Sequence, residues 1–241
     1  VTDPTDPVGT GPLSQIAQAV YHHMALGVWL VLGCAPTLVM LTLLAPSPLA
    51  VPFFVLAQLP VAPVLSAGLH AVRAWRGEPE EGPFALLWRG LRANTWDVLR
   101  WWIPTVLVAT VLAVNVWASG TVPGAELLRP VAAAAAALLV LWAGHMLVIT
   151  TFFSFRTRDA ARVGAAMLVV QWRVTLVYIS LLVVALGITA FGSDVILALS
   201  AWALVSVLEA VSRPVVVDVT ARFTRPCDGR RTATTTRPPA R

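Results

Sequence analysis

The chain has no lysine, only two cysteines (Cys34 and Cys227), two tyrosines and few charged residues of either sign. Without lysine there is no phosphate-binding Walker motif. The two cysteines support neither a disulfide framework nor a CxxC metal pair. No GxSxG elbow, HExxH helix or pair of carboxylates placed for glycoside hydrolysis occurs, so an enzyme reading has no nucleophile, base or metal set to rest on. No cofactor motif is present either. Charged residues make up 12% of the chain, against about 25% in soluble domains.

What fills the chain is apolar. Hydrophobic residues reach 58% of 241, and mean hydropathy is +0.78. Runs of about 20 apolar residues cross a hydrocarbon core of about 30 Å. Six such runs are expected, near 21–44, 49–72, 102–118, 130–153, 174–191 and 195–212. The second is expected to break near Pro60 and Pro63; a break there with Gln58 would expose backbone carbonyls to a cavity, but a kink that serves packing alone is the plainer reading. Residues 1–12, with Asp3, Asp6 and prolines in place of a basic leader segment, predict a disordered tail rather than a cleavable signal. Residues 226–241, rich in Arg, Thr and Pro, predict a second disordered tail, leaving 13–225 as one transmembrane domain.

Every one of the 17 basic residues is arginine, and their distribution is lopsided. Arg73, Arg76, Arg89, Arg92 and Arg100 lie between the second and third runs, and Arg156, Arg158, Arg162 and Arg173 between the fourth and fifth. The C-terminal tail is arginine-rich, whereas the other three connections hold only Arg129. A net charge of +5 could signal nucleic acid, but arginines flanking spans fit the positive-inside rule better, and no nucleic-acid partner is expected. With six spans, both termini then face the cytoplasm. In the first arginine-bearing segment Phe84, Leu87, Leu91, Val98 and Trp101 recur near helical spacing. That segment and 156–173 are expected to form two cytoplasmic interfacial amphipathic helices. The expected fold class is therefore an all-α polytopic bundle of about six transmembrane helices with two such helices. The two halves, each with an amphipathic stretch leading into a span, invite comparison as a repeat.

Three intramembrane polar residues stand out. His145 falls near the middle of the fourth span, Glu209 lies one turn before Arg213 in the sixth, and Gln58 sits at the expected break. An ionisable residue in a span is a functional hypothesis by default, although a neutral His145 can simply bond a neighbouring helix. Glu209 and Arg213 at i,i+4 share a helix face, and a local ion pair is the plainer reading. Tryptophans 75, 88, 96, 101 and 102 fit an interfacial aromatic belt better than a sugar-stacking site. Arg73, Trp75, Arg89, Arg92, Asn94, Arg158 and Arg162 make up an expected cytoplasmic docking surface.

The stretch LPVAPVLSAGLHAVRAWRGEPEEGPFALLWRGLRANTWDVLRWW, from Leu59 to Trp102, resembles the YesL-like family of bacterial membrane proteins. The resemblance rests on Ser66 to Trp75 followed by Phe84, Trp88 and Asn94, and continues more loosely through TTFFSFRTRDAARVGAAMLVVQWRVTLVYISLLVV. The first span departs, with Gly27-Val28-Trp29 where the family often has asparagine before the tryptophan. The resemblance implies a bacterial plasma membrane and a role in carbohydrate uptake, as a non-enzymatic accessory or assembly component. It supplies no catalytic residue. Asp159 to Ala165 is also similar to the coupling signature of ABC sugar permeases, with the glycine one residue closer to the acid. The implied partners are thus the lipid bilayer and ABC sugar-transporter subunits, and the alternative is a permease-like subunit that itself moves a small molecule such as a sugar.

Overall fold

The computed structural model describes residues 12–44, 47, 50–75, 81–118, 128–153, 155–191 and 194–223. The expected tails lie outside these residues except for Pro12, which opens the first helix, and so do Arg76 and Cys227. Among these residues eight helices follow one another: α1 (Pro12–Leu43), α2 (Val51–Gln58), α3 (Val61–Ala74), α4 (Pro83–Ala118), α5 (Leu128–Phe152), α6 (Thr157–Val170), α7 (Trp172–Phe191) and α8 (Asp194–Phe223). No strand occurs among the described residues. Among the described residues five stretches are long and apolar enough to span a membrane: α1, α2 with α3, α4, α5 and α8. The bent pair α6–α7 raises the count to six. Leu32, Leu107, Leu138, Val183 and Leu186 point outward from the bundle, as lipid-facing side chains do. The protein is an all-α, multi-pass membrane bundle.

Small residues set the closest helix contacts. A Cβ on Gly33 of α1 would lie 2.5 Å from Val64 Cγ2 of α3. Leu26 packs over Gly68 in the same seam, and Val205 of α8 meets Gly68 from the other side. Lipid tails are as apolar as leucine, so helices in a bilayer gain from close van der Waals approach rather than from expelling water.

Span two breaks where its prolines predict. Pro60 and Pro63 carry no N–H, so α2 ends at Gln58 and α3 begins at Val61. Neighbouring helices supply donors to the carbonyls beside the break. Thr37 Oγ1 of α1 donates to Ala57 O at 2.6 Å, and Trp102 Nε1 of α4 donates to Gln58 O at 2.9 Å. An unpaired carbonyl in hydrocarbon is costly, so these two donors make the break tolerable. Thr37→Val keeps the shape and removes one donor. It is expected to cost about 1 kcal/mol, read as a lowered unfolding midpoint in detergent.

The segment expected to be a separate interfacial helix is instead the first half of α4, which runs unbroken for 36 residues. At 1.5 Å per residue that is about 54 Å, well beyond the roughly 30 Å a span needs. Nothing between Leu91 and Ile103 stops a helix, neither glycine nor proline. The buried face is also offset from the expected stripe. Leu86, Leu87, Val98 and Trp101 are buried, Leu91 is half-buried, and Phe84 is exposed.

The second amphipathic segment does form a helix of its own, α6, which meets α7 at 92°. Gln171 supplies the bend, with φ −102° and ψ 47°, outside the helical region. Ala160, Gly164 and Met167, at i, i+4 and i+7, are the buried face of α6. A Cβ on Gly164 would lie 3.4 Å from Met146 of α5, and Trp142 Nε1 donates to Ala161 O at 3.2 Å. The two comparable segments of the halves therefore differ in shape, one continuous with its span and one sharply bent from it.

Candidate functional site

The sequence-predicted polar residues fall into three places. The first is the break in span two. A cavity of about 730 Å³ lies beside it between α2, α4 and α5. Val51, Phe54 and Gln58, at i, i+3 and i+7, form one wall; Trp102, Val106 and Ala109 of α4 face them. Trp102 thus has two roles, bonding the Gln58 carbonyl and lining the cavity.

The second place is a node joining α3, α4 and α5. Thr151 Oγ1 donates to Leu147 O at 2.6 Å, which uses its one proton. Ser66 must therefore donate to Thr151 Oγ1, at 2.8 Å. That leaves the Ser66 oxygen to accept from Asn94 Nδ2 at 3.3 Å. Asn94, expected on a docking surface, is thus turned inward as the tie between three helices. Nearby, the Arg73 guanidinium lies 4.4 Å from the Phe152 ring centroid. The C-terminal ends of α3 and α5 therefore share one end of the bundle with the first half of α4.

The third place joins α5, α7 and α8. Thr175 Oγ1 donates to Leu168 O at 3.0 Å, so His145 Nε2–H donates to Thr175 Oγ1 at 3.1 Å. By the same count Ser212 Oγ donates to Leu208 O at 2.5 Å, and the Tyr178 hydroxyl donates to Ser212 at 2.8 Å. The His145 and Tyr178 rings lie tilted against each other by 39°, with centroids 4.8 Å apart. Nδ1 of His145 is buried and has no hydrogen-bond partner among the described residues. Glu209 lies one turn before Ser212, 4% exposed, with Arg213 Nη2 at 3.5 Å. The expected ion pair is present, with the arginine reaching outward and the carboxylate buried.

Gln58 and His145 are not brought together: Ala143 of α5 lines the cavity, whereas His145 is bonded to α7. The outward docking residues are also spread out. Trp75 packs tilted against His22 and edge-on with His23 of α1, at centroid distances of 4.8 and 5.8 Å. Arg89 pairs with Glu81 at 2.7 Å, and Arg92 is exposed one turn on. Arg158 and Arg162 are exposed on α6. Five residues the sequence did not single out complete these places: Thr37, Thr151, Thr175, Tyr178 and Ser212. A hydroxyl in an apolar run was their only signal, and many such hydroxyls bond only their own helix, as Thr110 does with Val106 O.

Asn94→Leu is expected to lower stability by about 1–2 kcal/mol, since it removes the donor and leaves the Ser66 oxygen buried. Arg92→Glu, one helical face away, should leave the unfolding midpoint unchanged within error.

Searches against known protein families, curated proteins and solved structures find no match to this chain.

Proposed function

We propose that this chain is a non-enzymatic accessory or assembly component of carbohydrate uptake, resident in a bacterial plasma membrane with both termini cytoplasmic. It docks ABC sugar-transporter subunits through the first half of α4 and the outer face of α6. The supporting observation is the length of α4. About 24 Å of it exceeds what a bilayer core requires, and that excess presents exposed Phe84, Trp88, Arg89, Arg92 and Trp96. Aromatic and arginine side chains together are the composition of protein interfaces. Arg158 and Arg162 add exposed charge on α6, whose inner face packs on α5.

A second reading, a permease-like subunit, is favoured by one observation: a proline-broken span beside a cavity, the arrangement in which transporters build substrate sites.

Affinity purification from native membranes in mild detergent tests the first reading. Recovery of sugar-permease subunits, lost in a Trp88→Ala/Arg92→Glu variant that still folds, supports docking. Recovery of the protein alone, together with substrate uptake by proteoliposomes holding only this chain, overturns it in favour of the permease. Cysteines placed at 73, 89 and 158 should resist membrane-impermeant label in intact cells, and labelling there would reject the orientation.

A further inference from the structure

We propose that the cavity beside the break in span two binds an uncharged amphiphile, an apolar chain bearing one neutral hydroxyl-type group that pairs with the side-chain amide of Gln58. This stands independently of the docking surface, which lies on other residues.

Gln58 carries the case. Its side chain lines the cavity, and its backbone carbonyl is taken by Trp102 Nε1. Among the described residues its side-chain amide makes no hydrogen bond. An unpaired primary amide inside a membrane span offers two donors and an acceptor with no protein to meet them. The other polar lining groups offer less: Ser47 is exposed in the connection before α2, at the opposite end of that helix from Gln58. Thr105 and Thr110 spend their protons on Trp101 O and Val106 O, and the Trp102 indole N–H is already engaged.

Three further features define the ligand. Among the described residues no Asp, Glu, Arg or His lines the cavity, so they offer a charged headgroup no compensation there. Val51, Phe54, Val106, Ala109, Leu139 and Val140 supply an apolar wall suited to a chain. At the rim Ala113, Val114 and Val140 are exposed on span helices, so entry is from the lipid side. A sugar fits poorly, because its many hydroxyls would leave water for a single amide. A hydroxyl fits: it donates to Oε1 of Gln58 and accepts from Nε2.

The test uses the full chain in phosphatidylcholine vesicles and a long-chain alcohol carrying a photoreactive diazirine. The expected result is cross-linking concentrated on the α4 and α5 segments around 106–114 and 139–143. Unlabelled long-chain alcohol should compete about five-fold better than the alkane of equal length, the worth of one hydrogen bond. The alkyl phosphate of equal length should compete no better than the alkane. Gln58→Leu should keep the cross-link and abolish the preference for alcohol over alkane. Ala109→Trp should fill the cavity and remove the cross-link; Ala113→Leu at the exposed rim serves if that variant does not fold. Equal competition by alcohol and alkane in the unsubstituted protein overturns the proposal. So does label spread onto outward-facing Val183 and Leu186 of α7 and indifferent to a filled cavity.

Discussion

Trp101→Ala is expected to destabilise the protein by about 3–5 kcal/mol, more than any other single truncation considered. Trp101 is 3% exposed, and its ring meets Trp102 and Trp142 edge-on at 5.7 and 6.1 Å. Its indole N–H donates to Thr150 Oγ1 at 3.3 Å, so it joins α4 to α5 by both shape and hydrogen bond. Loss of the ring leaves a void among side chains already fixed by Trp142, whose own N–H is committed to Ala161 O. Thermal unfolding followed by circular dichroism in detergent reads the effect. Trp96→Ala is the control, since Trp96 is 69% exposed on the same helix and its loss should leave the midpoint nearly unmoved. Similar losses in the two variants would mean that the tryptophans act through the micelle interface and not through packing.

Gly33→Ala comes second, with an expected cost of about 1–3 kcal/mol from overpacking. The added methyl would sit 2.5 and 2.7 Å from the two γ-carbons of Val64, a β-branched side chain with no flexible end to swing aside. Either α1 and α3 separate or Val64 leaves its rotamer. Separation would also strain the Thr37 bond to the Ala57 carbonyl, one turn along the same seam. Val64→Ala should therefore rescue Gly33→Ala, the double variant costing less than the sum of the two singles. Strict additivity would show that the two residues do not press on each other.

The outline of the bundle was legible in the sequence, and so was the break at Pro60 and Pro63, because proline lacks a donor in any context. Hydrophobic length likewise marks a span in any fold. The continuity of α4 was obscured by Arg89, Arg92, Asp97 and Arg100, whose charge reads as an interface. Charge locates a helix relative to lipid but does not end it, and the absence of Gly or Pro from 91 to 103 was the better guide. The 92° bend at Gln171 carried no such punctuation, since neither glycine nor proline marks it. Asn94 was misplaced for a related reason. On a helix lined with arginines it reads as surface, and only the helix crossing reveals Ser66 and Thr151 in front of it. His145, Glu209 and Gln58 were legible as polar residues in apolar runs, but the sequence gives no distances between helices. Their partition into separate places depends on tertiary packing alone.

The same helix that carries Trp88 and Arg92 also supplies Trp102, Val106 and Ala109 to the cavity wall. A helix that moves as one rigid body has a single tilt. For as long as α4 moves as one body through Pro104, whatever tips its outer end tips the wall of the cavity by the same angle. A guest in the cavity and a partner on the protruding turns would then each alter the other's affinity by one common factor, because linkage between two sites on one body is reciprocal. Pro104, where the helix lacks one hydrogen bond, is the point at which that transmission could be severed.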